Sequence, residues 1–510
     1  MGAFHDDMAA GYGFEGPAIR LGRPFVDPAA PDTAVEVGIP LRFLNRHGLI
    51  AGATGTGKTR TLQLIAEQVA AAGCPVFAAD MKGDLAGIGA AGASDERLAA
   101  RAAELDYAWS GVAAPVELLS LTGDDGVPLR TTVTEFGPLL LSKVLELNET
   151  QESSLGLIFR FCDEHALPLL DLEDLRAALA YLTGPGKAQL KALGGISAAT
   201  AGVLLRKVSQ LEAEGGDVFF GEPAFEVGDL LRTAPDGRGI VSVLGLADVA
   251  RRPALFSTFL MWVLAELFER LPEVGDPEKP NLVFFFDEAH LLFDGASKAF
   301  LDQVTQTVRL IRSKGVGVFF ITQLPTDVPD DVLSQLGHRV QHAVRAFTPR
   351  DARALKSAVE TFPTTGHYEL AQTLQSLGVG EAVVTVLDPR GVPTPVAATR
   401  LYPPASRMTP LSPDERAAVL AASPLRPRYA ERLDRESASE LLEARAAGDA
   451  ARAEEVRERP RPEPARAPRR EPPSDGSLAD QVGDVLSSSV GRQVTREVVR
   501  GIFGMLRGKR

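Results

Sequence analysis

The sequence predicts an α/β fold, a mostly parallel sheet with helices on both faces. Three observations carry that reading. Short apolar runs at 47–51, 75–80, 239–244, 281–286 and 315–322 alternate with segments of helical spacing. The run at 281–286 is apolar after its first residue, the pattern of a strand buried on both faces. A glycine-rich turn, Gly52-Ala53-Thr54-Gly55-Thr56-Gly57-Lys58-Thr59, joins the first run to a helix.

The chain has 510 residues, 45% hydrophobic and 24% charged, which is enough for two or more cores. A formal net charge of -13 argues against a surface coated with nucleic acid. It leaves room for a basic pore or groove, because binding follows the local field. Cys74 and Cys162 lie far apart and outside any C-x-x-C pattern, so neither a disulfide scaffold nor a structural zinc site is expected. They read as inert core residues. The N-terminus lacks the basic and apolar regions of a secretory signal and the residue pattern of a myristoylation site. No apolar stretch is long enough to span a membrane. A soluble, cytoplasmic protein is the expectation.

Residues 1–46 read as a short N-terminal region with strand patterns at 18–22 and 35–40. Residues 47–84 open the core. They hold the first strand, the glycine-rich turn, a helix over 60–72 with Leu62, Ile65, Ala66 and Val69 on one side, and a strand ending at Asp80. Residues 85–235 read as a largely helical insertion, too long for a loop and expected to have a small core of its own. It contains a strand at 115–120 and helical spacing at 139–147 and 151–166, where Leu155, Ile158, Phe159 and Cys162 share a side. A further helical pattern over 171–213 is broken by Gly184 and Pro185. The core resumes over 236–400, with a helix at 253–271 opened by Pro253, a helix at 297–313, and strands at 339–347 and 381–387. Residues 401–458 are a helical extension, its pattern clearest over 411–447. Residues 459–476, rich in Pro and Arg, read as a disordered linker. An amphipathic C-terminal helix over 477–510 is the last element, with Leu478, Val482, Val485, Leu486, Val490, Val494, Val498 and Ile502 at helical spacing and a basic end.

The chemistry starts at the turn. Residues 52–59 fit G-x-x-x-x-G-K-[ST] between a strand and a helix, the context a phosphate-binding loop needs. Its glycines let backbone N–H groups turn inward on phosphate, and the helix N-terminus adds positive potential. Lys58 is expected to reach the β- and γ-phosphates of ATP, and the Thr59 hydroxyl to ligate Mg2+. The plain alternative is a glycine-rich turn with a chance lysine. Downstream, Phe284-Phe285-Phe286 leads into Asp287-Glu288-Ala289-His290. Asp287 is the candidate for the Mg2+ shell and Glu288 for polarising the attacking water. An acidic helix cap is the alternative, and His290 is either a phosphate sensor or a local cap. Gln323, after the next buried run, is a candidate sensor of the γ-phosphate, and 324–330 a candidate coupling loop. Arg312 is the favoured candidate for an arginine finger offered to a neighbouring subunit, with Arg309 and Arg345 as competitors and a solvated helix end as the alternative. Asp80, Lys82 and Asp84 follow the second core strand. Asp80 is a candidate support for Mg2+ or water and Lys82 for a polyanion, with an ordinary polar turn as the other reading.

Taken together, the loop at 52–59, Asp80-Met81-Lys82-Gly83-Asp84-Leu85, Phe285-Phe286-Asp287-Glu288-Ala289-His290, the segment from Arg312 to Val318 and Ile321-Thr322-Gln323-Leu324-Pro325 resemble the HerA-like branch of the HerA/FtsK ATPases. The pattern near the C-terminus, from Gly491 to Gly504, is similar to a bacterial group once described only as a domain of unknown function. The resemblance spans most of 15–400 and returns at 478–507. It implies a RecA-like P-loop core, hexameric rings and ATP sites between subunits. It also implies that Lys58, Thr59, Asp287 and Glu288 keep these roles, that Gln323 is the sensor, and that double-stranded DNA is translocated. The first 46 residues are too short for the N-terminal barrel of the archetypal translocases, which places nuclease docking in doubt. The leading expectation is an oligomeric Mg2+-dependent ATPase working on double-stranded DNA. The alternative is an ATP-gated scaffold or switch acting on a protein partner through 478–507. A small-molecule kinase is a third class, disfavoured by the paired acids.

Overall fold

The computed structural model describes residues 2–192, 194–246, 253–293 and 298–458. Packing divides the chain into two units, 1–441 and 442–510. The described part of the second is the C-terminal portion of the helix Ala438–Glu458. The linker expected at 459–476 and the helix expected at 477–510 lie outside the described residues. Among the described residues, no helix is long and apolar enough to cross a membrane.

The first unit is organised by a sheet whose described strands are β1 (Ala18–Pro24), β2 (Val37–Pro40), β3 (Gly48–Ala51), β4 (Val76–Asp80), β5 (Val116–Ser120), β6 (Val127–Pro128), β7 (Val241–Gly245), β8 (Leu282–Phe286), β9 (Val316–Thr322), β10 (His338–Gln341), β11 (Glu381–Thr385) and β12 (Ala397–Leu401). Their spatial order is β2-β1-β12-β11-β10-β3-β9-β8-β4-β7-β5-β6. From β10 to β6 every pairing is parallel. From β10 back to β2 every pairing is antiparallel. The result is the α/β, RecA-like, mostly parallel core that the sequence predicts, with an antiparallel wing on one side.

Parallel strands need crossovers, and the helices supply them. The helix Lys58–Ala71 returns the chain from β3 to β4, and Leu62, Ile65, Ala66 and Val69 are all fully buried in the main core. Strand β8 alternates its phenylalanines between two faces. Phe284 and Phe286 lie on one face, where Phe286 stacks on Phe320 at 5.6 Å and Phe284 meets Phe77 at 5.0 Å. Phe285 lies on the other and stacks on Phe319 at 5.3 Å. At the N-terminal edge, buried His47 accepts the Val318 N–H on Nδ1 at 3.0 Å and donates from Nε2 to the Val308 carbonyl at 2.8 Å. Burial pushes its imidazole down to about 3, so it pins β3 to β9 as a neutral ring.

Several boundaries differ from the sequence reading for identifiable reasons. Residues 2–12 form a helix, Gly2–Tyr12, whose Met8 and Tyr12 are buried; the Tyr12 hydroxyl donates to the Pro395 carbonyl at 2.8 Å. The segment 85–235 gives β5 and β6 to the main sheet as well as its helices. The strand expected over 339–347 ends at Gln341, because the chain then turns across the glycine-rich loop, where the Ala343 carbonyl accepts the Ala53 N–H at 2.9 Å. Arg345 therefore lies outside the strand, and it is exposed. The pattern over 411–447 is three helices, Pro413–Ala422, Arg426–Tyr429 and Ala438–Glu458. Cys74 and Cys162 are buried and form no disulfide.

Replacing Phe285 with Ala removes a fully buried ring from the β8–β9 contact and is expected to cost about 3–5 kcal/mol. Phe347→Ala, at a side chain 83% exposed, is expected to leave stability unchanged. Thermal and urea unfolding of the two variants checks this.

Candidate active site

In the parallel part of the sheet, β9 lies between β3 and β8, with Ala51 opposite Thr322 and Phe286 opposite Phe320. The segments that follow these strands therefore leave the same edge of the sheet, where ligands of open α/β folds collect. Strand β9 thus lies beside both the loop strand and the acid-bearing strand.

The loop after β3 is set by its glycines. Gly55 and Gly57 have φ of 80° and 115°, and Gly57 caps the helix Lys58–Ala71 in a left-handed conformation. At Gly52 the limit is space, since a Cβ there would lie 2.5 Å from that of His342. The Gly52 N–H is shared between the Thr322 and Gln323 carbonyls at 3.2 and 3.1 Å. On the other side, the Gly380 N–H donates to the Thr56 carbonyl at 3.0 Å. Lys58 is 6% exposed, and its ammonium donates to the carbonyls of Gly52 at 2.7 Å and Ala53 at 3.2 Å. Burial holds it below its ordinary range; the Glu288 carboxylate offsets part of this and the Lys82 charge adds to it. Thr54 and Gly55 are exposed, while Thr59 is half-buried on the first turn of the helix.

Across β9, Asp287 and Glu288 are 5% and 8% exposed. Asp287 Oδ1 accepts the Glu288 N–H at 3.0 Å. Burial pushes the Asp287 carboxyl up to about 6; Lys82 opposes the rise and the Glu288 carboxylate adds to it. Glu288 has a φ of 49°, an uncommon conformation for a residue with a Cβ. One of its carboxylate oxygens pairs with the Lys82 ammonium, and the other lies 3.3 Å from His290 Nδ1. Asp80 is 2% exposed, and its carboxylate accepts the backbone N–H groups of Lys82, Gly83 and Leu85 at 3.1, 2.7 and 2.9 Å. It organises the turn after β4 through these bonds. Asp84 lies 3.6 Å from Arg60.

Gln323 follows β9 directly and is exposed, with its backbone carbonyl against Gly52 of the loop. Its neighbour Thr322 donates to Asp327 Oδ2 at 2.7 Å, and the same oxygen accepts the Leu324 N–H at 2.9 Å, so the 324–330 loop is tied to the end of β9. Arg312 is placed elsewhere. It follows the helix Lys298–Ile311 and precedes β9, at the opposite edge of the sheet. The seven residues of β9, roughly 23 Å of strand, separate it from Gln323. Its guanidinium lies 3.7 Å from Asp276, which also faces Arg46 at 3.5 Å. Arg309 is exposed on the preceding helix. Within one chain, Lys58, Thr59, Asp287, Glu288 and Gln323 share an edge, and Arg312 does not join them.

Two neighbours of the loop were not found by reading the sequence. His342, fully buried, meets Thr61 Oγ1 from Nε2 at 2.9 Å, and burial followed by the Lys58 charge pushes it down to about 3. Gly380 closes the other side, and Arg101 holds its carbonyl. Neither belongs to a local pattern; both depend on the position of β10 next to β3.

A phosphate-binding loop on one strand and paired acids two strands away define a P-loop nucleoside triphosphatase by fold and site. A family model described as helicase HerA-like C-terminal matches residues 28–510, and the chain belongs to that family. It is by that membership an ATP-hydrolysing enzyme. No curated protein matches the chain. Among solved structures, it is similar to the bacterial conjugative coupling protein TrwB in a trigonal form with sulphate, at 15% identity and a TM-score of 0.50, covering 79% of this chain and 98% of that one. It is also similar to TrwB in complex with ADP and Mg2+, at 16% identity and a TM-score of 0.47, covering 77% and 99%. VirB4 of Thermoanaerobacter pseudethanolicus matches at 16% identity and a TM-score of 0.47, covering 79% and 98%. These are likenesses of fold.

A carboxyl whose pKa is raised by folding destabilises the fold once it ionises. That cost is absent below the unfolded value and complete above about pH 6. Asp287→Asn is therefore expected to raise stability by roughly 2–3 kcal/mol at pH 8 and to change little at pH 4. Unfolding of both proteins at the two pH values measures this.

Proposed function

We propose that this ATPase binds ATP with Mg2+ on the 52–59 loop and hydrolyses it with Glu288 as the base. The observation that carries the reading is the shared edge of β3, β9 and β8, which brings Lys58 and the buried Asp287-Glu288 pair to one place. The backbone N–H groups of residues 52–59 would receive the phosphates, with Lys58 on the β- and γ-oxygens. The donor set fits Mg2+: a hydroxyl from Thr59 and a carboxylate from Asp287 are hard oxygen ligands. Among the described residues no cluster of three or more His, Cys, Asp or Glu forms an all-protein cage. A Mg2+ ion completed by phosphate and water oxygens suits such a sparse set. Bound there, it would neutralise charge on the phosphates. Glu288 would orient and polarise the water, and Gln323, beside the loop, would register the γ-phosphate and pass its loss to the 324–330 segment.

The work done with this energy is assigned to an oligomer, a homo-hexamer by family resemblance. Arg312 lies at the edge of the sheet away from its own loop, so any role at an ATP site is played toward a neighbouring subunit. For the target, the first reading is an ATP-gated machine that acts on a protein partner. It is favoured by the net charge of -13 and by the binding of basic side chains such as Arg312, Arg400, Arg407 and Arg432 to acids of the same chain. The second reading, translocation of double-stranded DNA, is favoured by the helicase description of the family.

Lys58→Ala is expected to weaken ATP binding about tenfold or more by removing a charged donor. Glu288→Gln is expected to keep binding and to lower kcat by about 100-fold or more. Equilibrium binding and steady-state ATPase assays separate the two, and unchanged kcat in Glu288→Gln rejects the assignment. The ATPase rate per chain, followed against protein concentration with and without duplex DNA, is expected to rise with concentration. A DNA-stimulated rate selects the second reading for the target, and a DNA-indifferent rate the first.

A further inference from the structure

The turn after β4 carries one cation that the hydrolysis scheme leaves unused. Strands β4 and β8 are parallel neighbours with Ala79 opposite Phe286, so residues 82 and 288 extend past the same edge. The turn is tightly built. Asp80 gathers three backbone N–H groups within it, and Gly83 takes a φ of 76°. From this turn Lys82 reaches the Glu288 carboxylate directly. The Lys82 side chain is 46% exposed and that of Glu288 is 10% exposed, so the ammonium covers the carboxylate on its solvent side.

Glu288 needs such a partner. It adjoins the Asp287 carboxylate in a mostly buried position, and adjacent buried carboxylates repel. The other ammonium of the site, on Lys58, is bound to two carbonyls of its own loop. Without Lys82, repulsion from Asp287 and access to water would both favour rotation of Glu288 toward solvent.

We propose that Lys82 is a positioning residue for hydrolysis, holding the Glu288 carboxylate at the sheet edge in the orientation from which it polarises water. This rests on the reading of Glu288 as the base. Two other roles for Lys82 give different results: a brake that keeps Glu288 from water, and a direct contact to the phosphates of ATP.

The test uses the full chain with Lys82→Met, Lys82→Arg, Glu288→Gln and the Lys82→Met/Glu288→Gln double variant. It measures kcat and KM for ATP, the Kd of a fluorescent ATP analogue, and the thermal midpoint. Lys82→Met is expected to lower kcat by about tenfold or more with KM and Kd within about twofold of the parent. Lys82→Arg, which keeps a cation able to reach the carboxylate, is expected to recover most of the loss. The double variant is expected to hydrolyse ATP as Glu288→Gln does, because a residue acting through Glu288 has nothing left to position. A raised or unchanged kcat in Lys82→Met overturns the proposal. So does a weakened Kd together with a further loss in the Glu288→Gln background, which would place Lys82 on the nucleotide. A loss of kcat that follows a fall in the thermal midpoint and is not recovered by Lys82→Arg also overturns it, as general structural damage. If Glu288→Gln alone keeps full activity, the assignment of the base fails and this proposal falls with it, an outcome distinct from failure at Lys82 alone.

Discussion

The double pairing of β9 governs the rest of the molecule. One strand is hydrogen-bonded to the loop strand β3 on one side and to the acid-bearing strand β8 on the other. A slip of one residue in either ladder would turn every side chain of that strand to the opposite face. The phenylalanines resist such a slip, because Phe285 and Phe286 each stack on the partner directly opposite in β9. Gly48 lets Phe319 lie against the β3 backbone, where a Cβ would come within 2.2 Å of the ring. Packing inside the sheet thus sets the spacing of the two strand ends that carry the 52–59 loop and the paired acids. The Ala289 N–H, bonded to the Ile321 carbonyl at 2.7 Å, ties the chain just past the acids to β9.

That rigidity supports an unfavourable concentration of charge. Lys58, Asp80, Asp287 and Glu288 are all under a tenth exposed, and charge held out of water is costly unless it is paired or hydrogen-bonded. They stay compatible because cations and anions share one edge and because backbone groups absorb what is left over. Asp80 is satisfied by N–H groups and Lys58 by carbonyls, which leaves Lys82 as the ammonium paired with Glu288. Such a cluster is costly to fold. The strained φ of Glu288 belongs to the same account, since it is tolerated where the surrounding sheet overdetermines it.

The parts that could be read in the sequence were those carried by a local period or a fixed spacing. The run ending at Phe286, the helix face of Leu62, Ile65, Ala66 and Val69, and the loop at 52–59 each declare themselves within about fifteen residues. What could not be read depends on strand order. His342 and Gly380 flank the loop only because β10 lies beside β3 and β11 beside β10, and no spacing along the chain encodes that neighbourhood. The Lys82–Glu288 pair joins residues 206 apart, and the sequence offered Lys82 only as a contact for a polyanion or as part of a polar turn. The helix Gly2–Tyr12 did have a signal, with Phe4, Met8 and Tyr12 every fourth residue. Arg312 shows the opposite failure: a motif match located it in sequence without indicating which edge of the sheet it occupies.

The antiparallel wing has a consequence for biosynthesis. Strand β1 is synthesised long before one of its two partners, β12, and the Tyr12 hydroxyl waits for a carbonyl 383 residues later. A β1–β2 hairpin formed at once would have to persist with an unpaired edge while the residues up to β12 are translated, on the order of tens of seconds at typical elongation rates. Two short strands cannot hold themselves together in water for that time. The N-terminal segment is thus expected to stay unfolded, or shielded by a chaperone, until the sheet edge at β11 and β12 exists. Closure of the wing is then the late event that marks a nascent chain as complete through residue 401.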